Sequence, residues 1–182
     1  IVAILITGGC GFIGVNLIDA FQRDTSDHLI ILDNLSTGKK EFLHEFEVEF
    51  IEGDICDQDL VPKLMKKVDA VIHLAADTQV IASVENPDFN FEVNVKGTYN
   101  LLTAAKAEGV ERFVFASTGG AIMGDVVPPV HEEMVPRPIS PYGASKLCGE
   151  AYCSAFAGSY GMKTVSLRFS NVYGPRSFYK GS

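Results

Sequence analysis

The sequence has no excess of basic charge, no long apolar run, no close cysteine pair and no histidine cluster. Acidic side chains outnumber basic ones 23 to 15, for a net charge of −8. Affinity for nucleic acid comes mainly from Lys and Arg neutralising phosphates, so no nucleic-acid partner is expected. No apolar stretch approaches the roughly 18–20 residues of a membrane span, so no membrane partner is expected either. The opening run Ile1–Ile6 is too short, and lacks the basic flank, to be a signal peptide. Four cysteines stand at positions 10, 56, 148 and 153, none in CxxC spacing, and the four histidines are scattered. Zinc sites need clustered ligands, so no metal is expected and the thiols read as reduced, in a cytoplasmic protein. Cys148 and Cys153 fall on different faces of a predicted helix, which excludes a disulfide between them. Repeats, low-complexity tracts and linker-like composition are also missing.

What remains is an ordinary globular composition. The 182 residues are 47% apolar and 21% charged. At about 150 residues per domain this is one domain and a short remainder. A domain of this size buries about 70% of its unfolded surface and needs no staple. Short apolar runs alternate with helical stretches. Strands are predicted at Ile1–Ile6, Leu29–Leu32, Val48–Ile51, Ala70–Leu74, Phe113–Ala116 and Thr164–Phe169. The runs show little polar alternation, as strands covered on both faces do. Helices are predicted at about 12–23, 57–68, 90–108 and 141–160, the second opening at Asp57. The alternation implies an α/β domain of Rossmann type, a doubly wound parallel sheet with helices on both faces. From Gly119 to Pro141 the chain carries five prolines, and Val126–Pro138 has no helical or strand period. A long loop inside a compact domain is usually functional. Residues 1–176 are read as the domain, and 177–182 as the start of a substrate-binding region that is otherwise absent.

The first strand runs into Thr7-Gly8-Gly9-Cys10-Gly11-Phe12-Ile13-Gly14. Gly9, Gly11 and Gly14 fit GxGxxG, and Gly8, Gly11 and Gly14 fit the variant with two residues between each pair. Such glycines allow a tight turn, close approach of the backbone to a pyrophosphate and close helix–strand packing. The opening N–H groups of the next helix then face the anion. The second strand leads into Asp33, 22 residues after Gly11, the spacing at which a carboxylate accepts ribose hydroxyls. That carboxylate repels a 2′-phosphate, which favours NAD over NADP. Lys39 and Lys40 could reach a phosphate but read as solvated. Gly38-Lys39 is followed by Lys40 rather than Ser or Thr, so it is not a Walker loop.

Tyr142 and Lys146 lie four residues apart at the start of a predicted helix and share one face. A tyrosine hydroxyl ionises near pH 10. A neighbouring ammonium lowers that value toward the range of a general base, as an oxidised nicotinamide would. The strand just upstream ends in Ser117-Thr118, which offers hydroxyls beside this pair.

Taken together, these residues resemble the extended short-chain dehydrogenases/reductases, in their NAD-dependent sugar-nucleotide epimerase/dehydratase family, and most of all the UDP-glucose 4-epimerase type. The further segments that carry the resemblance are Gly53-Asp54-Ile55, His73-Leu74-Ala75-Ala76, Asn94-Val95-x-Gly97-Thr98 and Arg168–Arg176. It implies that Gly8, Gly11, Phe12, Ile13 and Gly14 sit at the pyrophosphate of NAD. Asp33, Asn34, Leu35, Ser36, Thr37 and Gly38 would surround the adenosine ribose, and Asp54 and Ile55 the adenine. Leu74, Ala75 and Ala76 would line the cofactor, supported by Asn94, with Ser117 and Phe169 toward the nicotinamide. Lys146 would bind the nicotinamide ribose. Asn171 would contact the diphosphate of a nucleotide sugar, with UDP-hexose the implied substrate, while Arg176 would anchor its loop. The implied reaction is epimerisation at C4. Tyr142 takes the 4-hydroxyl proton, hydride passes to NAD, and the keto sugar turns over and receives the hydride on its other face. Thr118 would bridge to the substrate oxygen, although counting back from Gly124 puts Gly119 at that place. Met123 stands where the family usually has tyrosine. The resemblance also implies a homodimer through a helix bundle, with 90–108 and 141–160 as candidates.

Other reactions within the same family are a 4,6-dehydratase, a decarboxylase and a keto-sugar reductase. Dehydration needs an acid and a base beside the catalytic threonine, yet Gly119, Gly120 and Ala121 offer no carboxylate. A non-catalytic NAD-binding module is the alternative of another class. The intact Tyr142 and Lys146 argue against it.

Overall fold

A computed structural model of the chain describes residues 1–177. Six parallel strands lie in the order β3-β2-β1-β4-β5-β6. They are β1 (Ala3–Thr7), β2 (His28–Asp33), β3 (Glu49–Glu52), β4 (Ala70–His73), β5 (Arg112–Thr118) and β6 (Lys163–Phe169). The order reverses between β1 and β4, where Ile6 pairs with Ile72 and Thr7 with His73. At such a switch point the outgoing loops part and leave a crevice at the carboxyl ends of the strands. The doubly wound sheet expected from the sequence is therefore present. Among the described residues no helix is long and apolar enough to cross a membrane.

Alternate residues of the central strands feed two cores. Leu5, Ile30, Leu32, Val71, Phe113 and Phe115 face one side, under α2 (Leu60–Met65), α5 (Thr98–Ala107) and α7 (Pro141–Tyr160). Ile4, Ile6, Leu29 and Ile31 face the other side, against Val15 and Ile18 of α1 (Phe12–Asp24). With both faces covered, the central strands need no polar residues, which explains their unbroken apolar runs. At the sheet edge the pattern changes. Val165 and Leu167 of β6 remain 52% and 40% exposed. The four cysteines are free thiols.

Several predicted elements are redrawn. The helix expected from Asp57 begins only at Leu60, because the Asp57 carboxylate accepts the N–H groups of Asp59 and Leu60 and closes a turn ahead of it. The helix expected over 90–108 is α4 (Pro87–Phe91), a π-helical turn (Glu92–Gly97) and α5. A hydrophobic period cannot reveal the extra residue of a π turn. Two further helices were not predicted, α3 (Val80–Glu85) and α6 (Gly119–Met123). The second corrects the reading of Gly119–Pro141 as wholly irregular. It forms because Thr118 accepts the Ala121 N–H and caps the turn. Residues 124–140 are a loop without helix or strand, as expected for its core. Of the segment 177–182, all but Ser177 lies outside the described residues.

Helix α7 has the best-defined ends. The Ser140 hydroxyl accepts the Gly143 N–H, Pro141 occupies the first turn, and Gly161 closes the helix at φ +72°. Midway along, Gly149 rests on the ring of Phe115. A Cβ there would lie 2.7 Å from Cε1 of that ring, which is 1% exposed. A Gly149→Ala variant is expected to lose about 1–3 kcal/mol of stability in denaturant melts, the usual cost of overpacking a core. Helix propensity alone would change stability by about 1 kcal/mol in the opposite direction, so the sign of the shift decides.

Candidate active site

The crevice at the switch point is a cleft of about 1050 Å³. One side is the loop from β1 into α1. Gly8, with φ +71°, holds that turn, and a Cβ on it would strike the Ala75 backbone at 2.6 Å. The N-cap of α1 is Gly11, which has no side chain to cap the helix, and no acidic residue lies in its first turn. Gly11, Phe12, Ile13 and Gly14 line the cleft here, so the positive end of the helix faces it. Asp33, Asn34, Ser36 and Thr37 follow from the end of β2, with Asp54 and Ile55 beyond β3. Leu74, Ala75 and Ala76 form the floor after β4.

The expected adenosine end is more constrained than spacing alone shows. Asp33 accepts the Cys10 N–H through Oδ2 (2.9 Å) and the Leu35 N–H through Oδ1 (2.8 Å). The second bond holds Leu35 at φ +58°, so the carboxylate shapes the loop that surrounds it. Asn34 donates to Asp54 at 3.0 Å and ties the two acidic loops together. Hydrogen bonds from the Cys56 N–H and from Asn34 outweigh burial and hold Asp54 below its ordinary carboxylate value.

Three predicted site residues do not line the cleft. Leu35 packs into the core beneath α1. Gly38 lies against Cys10, where a Cβ would come within 2.7 Å of the backbone. Asn94 is 2% exposed and acts from behind the wall. Its Oδ1 accepts the Asp77 N–H (2.8 Å), and its Nδ2 donates to the Asp77 carbonyl (2.9 Å) and to Ser145 Oγ (3.1 Å). Ser145 in turn donates to the Tyr142 carbonyl. One asparagine therefore fixes both the segment after β4 and the first turns of α7.

A second chain of hydrogen bonds runs through His73, and its direction is determined. Thr98 Oγ1 donates to the Asn94 carbonyl at 2.6 Å, so it accepts from His73 Nε2 at 2.9 Å. His73 Nδ1 then accepts from Thr7 Oγ1 at 2.7 Å, and that hydroxyl accepts the Ala75 N–H. Burial, with the nearby Lys146 charge, pushes the imidazole down to about 3, so it stays neutral.

At the other end of the cleft stand Ser117, Thr118, Tyr142, Lys146, Phe169 and Asn171. Lys146 is 4% exposed and donates to the Ala116 carbonyl at 2.8 Å, with its ammonium 5.0 Å from the centre of the Phe115 ring. Burial pushes it down to about 8. The Tyr142 hydroxyl is shifted opposite to the expectation. Burial raises it, and the Asp77 carboxylate adds to the rise. The expected lowering by Lys146 is not seen, and that ammonium donates to the Ala116 carbonyl. Of the two candidate hydroxyls, Ser117 Oγ is committed to Glu150 at 2.5 Å, whereas Thr118 borders the cleft while capping α6. A side chain at Gly119 would meet the Phe169 carbonyl at only 3.4 Å, and at Gly120 it would meet nothing within 4 Å. Arg176 anchors its loop as expected, bonding Asn16 and Asp19 of α1.

Sequence reasoning missed Asp77, Glu150 and Arg168. Asp77 follows the His73–Ala76 motif directly and borders the cleft. Glu150 extends the Tyr142–Lys146 stripe by one further step of four, a spacing that could have flagged it. Its ion pair with Arg168 closes at 2.8 Å, with the side chains 11% and 21% exposed.

Comparison with known proteins agrees with this architecture. The model of the NAD dependent epimerase/dehydratase family matches residues 4–182. The chain is 40% identical to a UDP-glucose 4-epimerase of Mycolicibacterium smegmatis, over 94% of this chain and 56% of that protein. It is 35% identical to a dTDP-D-glucose 4,6-dehydratase of Mus musculus, over 96% of this chain and 52% of that protein. A crystal structure of Thermus thermophilus UDP-glucose 4-epimerase in complex with NAD superposes with a TM-score of 0.90 at 45% identity, covering 96% of this chain and 57% of that one. The chain thus spans a little over half the length of these relatives.

Lys146 provides a test of the buried pair. Its ammonium is disfavoured in the fold, so the folded state releases the proton near pH 8 while the unfolded chain holds it to about 10.5. Stability should therefore rise as pH climbs from 8 to 10.5. Melting across that range should show this gain in the native protein and not in Lys146→Met.

Proposed function

The chain belongs to the NAD dependent epimerase/dehydratase family, and from that premise we propose that it carries the cofactor-binding and catalytic part of an NAD-dependent epimerase acting at C4 of a nucleotide sugar. The observation that carries this reading is the joint placement of Tyr142 and Lys146 on one face of α7, lining the switch-point cleft together with Thr118. The donor set suits a dinucleotide. The N-terminal end of α1, which opens on the glycine turn, suits the pyrophosphate, and Asp33, already shaping its own loop, suits a ribose without a 2′-phosphate. Bound NAD would supply a hydride acceptor and donor.

Every other step belongs to side chains of this protein. Tyr142 receives the proton of the sugar 4-hydroxyl and returns it when the keto sugar is reduced from its other face. Thr118 Oγ1, close to the same position, orients that oxygen. Lys146 holds the nicotinamide ribose from beneath. Asn171, on the sugar-nucleotide side, contacts the diphosphate. The absence of any carboxylate at Gly119, Gly120 and Ala121 favours epimerisation over dehydration. We read 1–176 as the cofactor-binding domain and UDP-hexose as the substrate. The same reading gives a homodimer through α5 and α7, where Tyr99, Tyr152 and Tyr160 stand 45%, 38% and 55% exposed.

The reading predicts that protein extended through the substrate-binding region interconverts UDP-glucose and UDP-galactose, or the N-acetyl pair, as followed by chromatography of the product sugars. Tyr142→Phe should lower turnover by about a hundredfold or more, as loss of a general base does, with NAD affinity unchanged. Undiminished turnover removes Tyr142 from its role, and a 4-keto-6-deoxy product replaces epimerase by dehydratase. Calorimetric titration should show NAD binding more tightly than NADP, and the reverse order overturns the part assigned to Asp33.

A further inference from the structure

Arg168 lines the cleft beside Phe169, with Glu150 behind it, and the pair has no part in the chemistry just described. Glu150 sits one turn beyond Lys146 on α7. Arg168 lies on β6, just before Phe169. The guanidinium meets the carboxylate as a fork: Nε donates to Oε1 at 3.0 Å and Nη2 donates to Oε2 at 2.8 Å. Its remaining arm, Nη1, donates to the Glu132 carbonyl at 2.8 Å. Glu132 belongs to the 124–140 loop, which walls the cleft through Val130, His131 and Glu132. Glu150 Oε1, the oxygen that takes Arg168 Nε, also accepts from the hydroxyl of Ser117, next to Thr118. Four parts of the wall therefore meet in one cluster: the end of β5, the face of α7, the end of β6 and the loop.

A planar guanidinium held by two bonds at one edge has its third direction fixed as well. Orienting Arg168 through Glu150 thus determines where the loop backbone can lie. We propose that Arg168, oriented by Glu150, is a positioning residue that holds the loop bearing Glu132 against the sugar side of the cleft. The tie is to a backbone carbonyl, so it sets the place of the loop and not the identity of its side chains. The consequence for ligand binding rests on the nucleotide-sugar reading above. The anchoring itself does not.

Arg168→Lys and Glu150→Gln distinguish these roles. Lysine keeps the charge beside Glu150 but cannot serve two elements as a fork. Hydrogen exchange is followed at the amides of Met134 and Arg137, which bond within the loop and to Ile122 of α6. Both variants should speed exchange there roughly tenfold or more, the factor one charge-assisted hydrogen bond supports. Amides of β1 and β4 should keep their protection. Titration of UDP-glucose into NAD-saturated protein that extends through the substrate-binding region should show weaker binding in both variants, while NAD affinity stays at the native value.

Unchanged exchange at Met134 and Arg137 overturns the proposal. Faster exchange across the whole sheet overturns it too, since the pair would then only support the fold. Faster loop exchange with unaltered UDP-glucose affinity confines the pair to anchoring the loop and overturns its role in positioning for the ligand. Protein of native sequence extended through the substrate-binding region that binds NAD but not UDP-glucose counts against the nucleotide-sugar reading, and the exchange data still decide the anchoring.

Discussion

Helix α7 lies on β5 with only a hydrogen atom of Gly149 between its backbone and the ring of Phe115. The close seating lets short groups span from helix to strand. Lys146 reaches the Ala116 carbonyl, and one turn later Glu150 reaches the Ser117 hydroxyl. A helix held farther away by a side chain at 149 would leave a buried ammonium without its acceptor, and an unpaired buried charge costs several kcal/mol. The distance between one helix and one strand thereby fixes the height of the Tyr142–Lys146 face above the sheet.

The rotation of that helix is set elsewhere. Asn94 grips Ser145 from the π turn and also holds both backbone groups of Asp77. His73 and its two threonines hold the π turn against the ends of β1 and β4. A protonated His73 would put a second cation beside Lys146 in the same interior. Its low basicity keeps the interior to a single positive charge, and the charge-free imidazole can accept from Thr7.

Much of this was legible in the sequence because it depends on local rules. The glycine turn, the carboxylate after β2 and the apolar strands each follow from backbone geometry and burial, and so does the capped helix bearing Tyr142. The parallel, doubly wound form of the sheet follows from the alternation of elements. What could not be read depends on contacts distant along the chain. Leu35 and Gly38 sit in the ribose segment yet turn inward, since Asp33 folds that segment back on Cys10. The ionisation of Tyr142 moves upward because the fold buries it and because Asp77, far away in sequence, adds to the rise. The π turn at Glu92–Gly97 is hidden because one added residue leaves an apolar period unaltered on either side.

The long loop past α6 is tied down by its main chain. Arg168 holds a carbonyl, and Ile122 accepts the Arg137 N–H. Ties of this kind do not depend on which side chains the loop carries, provided its path is kept. Mutation can therefore rewrite the outward residues of 126–138 without unseating the wall they belong to. The scaffold separates the side chains that make the ties, the fork of Arg168 and the stripe on α7, from a stretch where substitutions can accumulate.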